Sequence, residues 1–205
     1  MKQRIIRAAA NDGVTPRQRE NRELARAAAR EGIVLLKNDG ALPVKLGRIA
    51  LYGAGASRTV KGGTGSGEVN ERHAVTILEG LELAGYEIAS YGWIRDFETE
   101  CREAEERWRQ ERGAQGAGLM NSMVQPFMPP AGRVITDADI AASACDTAIY
   151  VVARQAGEGA DKKLKNGEFD LSPAETESIL KMAAGYKNSV LVINSGSYMD
   201  IGTLD

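Results

Sequence analysis

Glu158 stands between two glycines in Arg154-Gln155-Ala156-Gly157-Glu158-Gly159-Ala160-Asp161-Lys162-Lys163, directly after the apolar run 147–153 (TAIYVVA). A carboxylate without bulky neighbours, on a loop free to take unusual backbone angles, suits a general acid or base. Arg154, Lys162 and Lys163 tune its proton affinity in a direction set by their distances. Taken alone, Gly-Glu-Gly has a commoner meaning, a solvated loop carboxylate.

A second chemistry-bearing stretch is the glycine-rich run 53–67 (GAGASRTVKGGTGSG). A dinucleotide fingerprint would need Gly where Arg58 stands, and a phosphate loop would need Gly-Lys-Ser/Thr at a fixed offset from its first Gly. Neither template fits. What remains is a small-residue loop whose amides and Thr64 and Ser66 hydroxyls approach a polar ligand closely, or a flexible turn with no ligand. His73 is the only histidine, so a Ser-His-Asp triad or a histidine metal site would have to use it. Beside Arg72 at the start of a helix, it reads as a capping or surface residue. Neither the two cysteines nor Thr136-Asp137-Ala138-Asp139 has a metal-ligand spacing, so no metal is expected.

The elements that must position these residues alternate. Thr15 caps, and Pro16 opens, a helix over 17–30 that Gly32 ends. The run 33–36 (IVLL) reads as a short buried strand closed by Asn38-Asp39-Gly40. Then come a strand over 49–52, a helix over 75–84 stopped by Gly85, a strand over 86–88 and a charged helix over 97–112 anchored by Trp108. Residues 113–133 form a Gly, Met and Pro-rich excursion longer than ordinary connections. Thr136 caps a short helix before the strand over 147–153. Ser172-Pro173-Ala174-Glu175 is a capping box opening a helix over 174–184, and a strand over 190–193 ends in Asn194-Ser195-Gly196-Ser197. Strands that alternate with helices, and are apolar on consecutive residues, predict an α/β fold: a three-layer αβα sandwich with a mostly parallel sheet. In such sheets ligands gather at the carboxyl ends of strands, where both candidate loops lie.

Composition limits the remaining classes. With 205 residues, the chain has the length of one domain. It is 43% hydrophobic and 26% charged, which excludes a disordered or fibrous chain. A net charge of −2 with no long basic stretch argues against nucleic acid, and no apolar run approaches the roughly 20 residues of a membrane span. The N-terminal MKQRIIRAAANDG lacks the apolar core of a signal peptide. Cys101 and Cys145 read as free thiols in a reducing, cytoplasmic setting. The end Ile201-Gly202-Thr203-Leu204-Asp205 follows soon after a strand, as in a segment of something longer.

Four motifs occur in a telling order: 25–43 (ARAAAREGIVLLKNDGALP), 61–69 (KGGTGSGEV), 154–162 (RQAGEGADK) and 169–175 (FDLSPAE). The chain resembles, from about Arg22 onward, the α/β sandwich domain of family 3 glycoside hydrolases, the β-glucosidase family. The resemblance implies a sandwich domain over 22–205, preceded by an extension and the start of the first helix over 1–21, with a TIM barrel outside this chain. It implies a sheet whose final strand and helix lie beyond Asp205. Motifs so close to Met1 are similar to members in which the sandwich precedes the barrel. In that family the active site lies between the two domains and the barrel supplies the nucleophilic aspartate. Carried over, Glu158 becomes the acid/base and Ser66 a sugar-contacting residue, with Thr64, Gly65 and Lys61 of the same motif on the substrate side. Asp161 becomes a loop-ordering or sugar-rim residue. Where the family often has Arg after that Asp, this chain has Lys162, a point charge in place of a planar fork.

The implied reaction is retaining hydrolysis of a β-glucoside or oligosaccharide with no cofactor, and this chain alone would be silent. The excursion 113–133, with Met120, Met123, Phe127 and Met128, either walls the aglycone side or packs on the barrel. Two other readings stay open: a non-catalytic carbohydrate-binding or interaction module of the same fold, and a nucleotide-binding α/β enzyme.

Overall fold

The computed structural model describes residues 13–62, 73–114, 127–155, 162–164 and 167–204. It divides into two units, Met1–Leu42 and Pro43–Asp205. In the first, helix α1 spans Pro16–Gly32. Thr15 and Gln18 close a capping box, with Thr15 N–H donating to Gln18 Oε1 at 2.8 Å, and Pro16 sits where a missing N–H costs nothing. Ile33 leaves the helix in extended backbone, but 33–36 joins no strand among the described residues, which corrects the expected strand. An apolar run states what a segment would bury. A strand exists only where its N–H and C=O groups meet those of a partner. The turn that follows is held by Asn38, whose Oδ1 accepts from the amides of Gly40 and Leu42, both at 3.1 Å.

The second unit runs β1 (Arg48–Tyr52), α2 (Ile77–Leu83), β2 (Glu87–Ile88), α3 (Tyr91–Ala114), α4 (Asp137–Ser143), β3 (Thr147–Arg154), α5 (Pro173–Gly185), β4 (Asn188–Ser195) and a 3₁₀ turn, Gly202–Leu204. All strand pairs are parallel and the sheet order is β2-β1-β3-β4. The chain thus moves outward from β1 to β2, turns back across β1 to β3, and continues to β4. Right-handed crossovers put α2 on one face and α3, α4 and α5 on the other, and α4 indeed packs on α5. The fold is the expected α/β sandwich with a parallel sheet between helical layers.

The interior strands are buried along most of their length: Ala50, Leu51, Tyr52, Ala148, Val151 and Val152 are within 1% of full burial. Helix α3 begins at Tyr91, six residues before the charged stretch that announced it in the sequence. Its first turns bury Trp93, Ile94, Phe97 and Cys101, with Trp93 edge-on to Tyr52 at 5.6 Å and stacked on Phe97 at 5.8 Å. Tertiary burial overrides the weak helix propensity of Tyr91-Gly92-Trp93. Farther along, Trp108 meets Phe127 with ring centroids 6.0 Å apart, so the described end of the excursion packs on α3. Thr136 and Asp139 form the capping box of α4, and Ser172 and Glu175 that of α5. Among the described residues no helix is long and apolar enough to cross a membrane.

Candidate active site

The reversal of direction between β1 and β3 creates a switch point. The connections leaving these adjacent strands run to opposite sides, opening a crevice at their carboxyl ends. The loop after β1 is the glycine loop and the loop after β3 carries Glu158. Of the sequence-derived site residues, Lys61 is described and exposed. Thr64, Gly65, Ser66, Glu158 and Asp161 lie outside the described residues.

The glycine loop is pressed onto β3. Gly53 takes φ +87°, and a side chain there would collide with the backbone of Val151. A Cβ on Gly55 would stand 2.5 Å from Val151 Cγ1, while its amide donates to Val151 O at 3.0 Å. Glycine is therefore required at both positions by close approach, independent of any phosphate. Thr59 then ties the loop to α2: its hydroxyl donates to Gly55 O at 2.7 Å and accepts from the Ile77 amide at 2.9 Å. Arg58, which occupied the position a dinucleotide fingerprint reserves for glycine, turns to Glu98 of α3 with Nη2–Oε2 at 2.8 Å. Burial works to raise the Glu98 carboxyl, but hydrogen bonds from Arg58 and Ser57 outweigh it and hold the group below its ordinary range.

Three ties join the ends of β1, β3 and β4. Asn194 acts as a peptide surrogate: its Oδ1 accepts from the Val60 amide at 2.6 Å and its Nδ2 donates to Val60 O at 2.9 Å. Gln155 Nε2 donates to Gly62 O at 3.0 Å. Lys162 Nζ donates to Ser195 Oγ at 2.9 Å. Gly62, Gln155 and Lys162 are thus each anchored. Burial, and then the nearby Arg154 cation, push the Lys162 ammonium below its ordinary value.

Beneath them lies a buried ion pair. Arg154, the last residue of β3, is 5% exposed and grips Glu175 in two prongs, Nη1–Oε1 at 2.8 Å and Nη2–Oε2 at 2.6 Å. Glu175 Oε2 also accepts from the amide and hydroxyl of Ser172, both at 2.8 Å, so one carboxylate caps α5 and fixes the root of the Glu158 loop. Arg154 Nη2 reaches Asp170 O at 3.2 Å as well. His73 pairs with Glu79 at 2.8 Å on the surface, and Thr76 caps α2 in its place. Among the described residues no cluster of His, Cys, Asp and Glu could hold a metal. The sequence reading missed Gln155 and Asn194 as ties and the pairing of Arg154 with Glu175. The only signal for them was position, each at a strand end or in the capping box.

The model of the glycosyl hydrolase family 3 C-terminal domain matches residues 33–204. The chain belongs to that family. Its relatives include a β-glucosidase A from Butyrivibrio fibrisolvens, 31% identical over 203 residues, covering 87% of this chain and 23% of the relative. A β-glucosidase from Ruminococcus albus is 29% identical, covering 85% of this chain and 18% of the relative. Among solved structures, β-glucosidase 3B from Thermotoga neapolitana in complex with α-D-glucose superposes with a TM-score of 0.70 at 28% identity, covering 93% of this chain and 26% of that one. This family 3 domain therefore spans about a quarter or less of the proteins it resembles.

Proposed function

We propose that this chain is the acid/base-bearing sandwich domain of a retaining β-glycosidase of β-glucosidase type, within a protein that also contains a TIM barrel. The observation that carries the reading is the switch point, where the loop after β3 and the glycine loop leave adjacent parallel strands, joined by Gln155 to Gly62, with the glycine loop also held to β4 by Asn194 at Val60. The β-glucosidase relatives support the substrate class.

In this proposal the sandwich occupies 22–205, residues 1–21 form an extension running into the first helix, and the barrel lies outside this chain. A barrel aspartate attacks the anomeric carbon while Glu158 protonates the leaving oxygen. Glu158 then takes a proton from water, which opens the glycosyl-enzyme. Ser66, Thr64, Gly65 and Lys61 contact the sugar and Asp161 lines its rim. The excursion 113–133 walls the aglycone side, and the two thiols fit a reducing, cytoplasmic setting. No cofactor enters this chemistry. The test is Glu158→Ala in the complete gene product. Hydrolysis of an aryl β-glucoside should fall by roughly 10² to 10⁴ and be partly restored by azide. Unchanged hydrolysis would refute the assignment.

A further inference from the structure

Resting on that reading, we infer that Tyr198, backed by Phe169, is an aromatic platform for the leaving group, a glycosyl or aryl ring. Tyr198 is 76% exposed, the most exposed aromatic ring among the described residues. The backbone on both sides of it is pinned. Before it, the Ser197 amide donates to Ser195 Oγ at 3.3 Å, and that hydroxyl donates to Ser197 O at 2.8 Å. After it, Met199 is buried and the Asp200 amide donates to Phe169 O at 2.9 Å, within an Asp170–Asp200 parallel bridge. Phe169 meets the Tyr198 ring at 5.6 Å between centroids, tilted by 48°. The ring thus stands on a pinned backbone, meets Phe169 and still faces solvent, so stacking a ligand on it forfeits less freedom than on a ring borne by a loose chain.

Its surroundings favour a sugar or aryl ligand over an apolar protein surface. Ser195, Gly196 and Ser197 precede it, and Lys162 donates to Ser195, so the turn that leads to Tyr198 carries an ammonium and hydroxyls. A pyranose offers the matching combination, an apolar C–H face bordered by hydroxyls. Tyr198 also follows β4, at the same end of the sheet as the Glu158 loop. Lys162, four residues from Glu158, touches the turn that leads to Tyr198.

Three substrates of the complete gene product separate this role from the others: β-glucosyl fluoride, which has no ring to stack, an aryl β-glucoside and a β-linked disaccharide. Tyr198→Ala should lower kcat/KM about tenfold for the last two and leave the fluoride within about twofold, while Tyr198→Phe keeps all three near wild type. An equal loss on all three would assign the ring to domain packing and overturn the platform, as would no loss on any. A wild-type protein that turns over none of the three would overturn the glycosidase reading and the platform with it.

Discussion

Single polar side chains set the positions of whole segments in this domain, and Asp139 illustrates the energetics. It accepts two bonds from Arg133, at 2.6 and 2.7 Å, and others from the Thr136 amide and hydroxyl, so the chain leaving the excursion is fastened to the start of α4. Hydrogen bonding from Arg133, helped by Thr136 and opposed by burial, lowers its carboxyl from the ordinary 3.8 to about 2. A carboxyl depressed in the folded state contributes stability above its unfolded value and loses it as pH falls through the folded one. Asp139→Asn should therefore cost about 1–2 kcal/mol near neutral pH, and the two proteins should converge as pH falls from about 4 toward about 2. Denaturant melts across that range would show the gap closing. A gap that persists at the acid end would mean that geometry, and not charge, is what Asp139 supplies.

Between elements, the decisive contacts are the ties that join strand ends. Asn194 fills both hydrogen-bonding positions of Val60, so Asn194→Ala leaves a part-buried amide and carbonyl exposed to water and frees the root of the glycine loop. Exchange of the Val60 amide should rise roughly five- to tenfold, with the amides of β1 unaffected; uniform acceleration would show general destabilisation instead. These ties also mark where the sequence stopped being legible. Helix starts at Thr15, Thr136 and Ser172 were readable because a cap is written within four residues, and the parallel sheet was readable because its strands are apolar on consecutive positions. The Asn194–Val60 clamp joins residues 134 positions apart, and nothing local to either announces the other. For the same reason the apolar run 33–36 forms no strand and α3 starts ahead of its charged stretch, since burial and pairing there depend on partners elsewhere in the chain. Glu158 drew attention through its glycines, but the motifs in series, and not the residue by itself, connected it to a reaction.

At the scale of the whole molecule, the proposed function divides the site between this domain and a barrel. Retaining hydrolysis needs two carboxyls about 5 Å apart on opposite sides of the anomeric carbon. Under the proposed function this chain contributes one of them, Glu158, and the relatives it matches are much longer than the matched domain, with 23% of one and 26% of another covered. The ties among β1, β3 and β4 hold Val60 and Gly62 of the glycine loop to Asn194 and Gln155 within this chain. The 205-residue chain should therefore fold and yet release aryl product from a β-glucoside no faster than buffer. Joined to the remainder of its gene product it should turn over, with Glu158→Ala removing the activity. If the isolated chain hydrolysed the glucoside and Glu158→Ala abolished that activity, a second carboxylate would have to lie within these residues, and the division of the catalytic pair between two domains would fail.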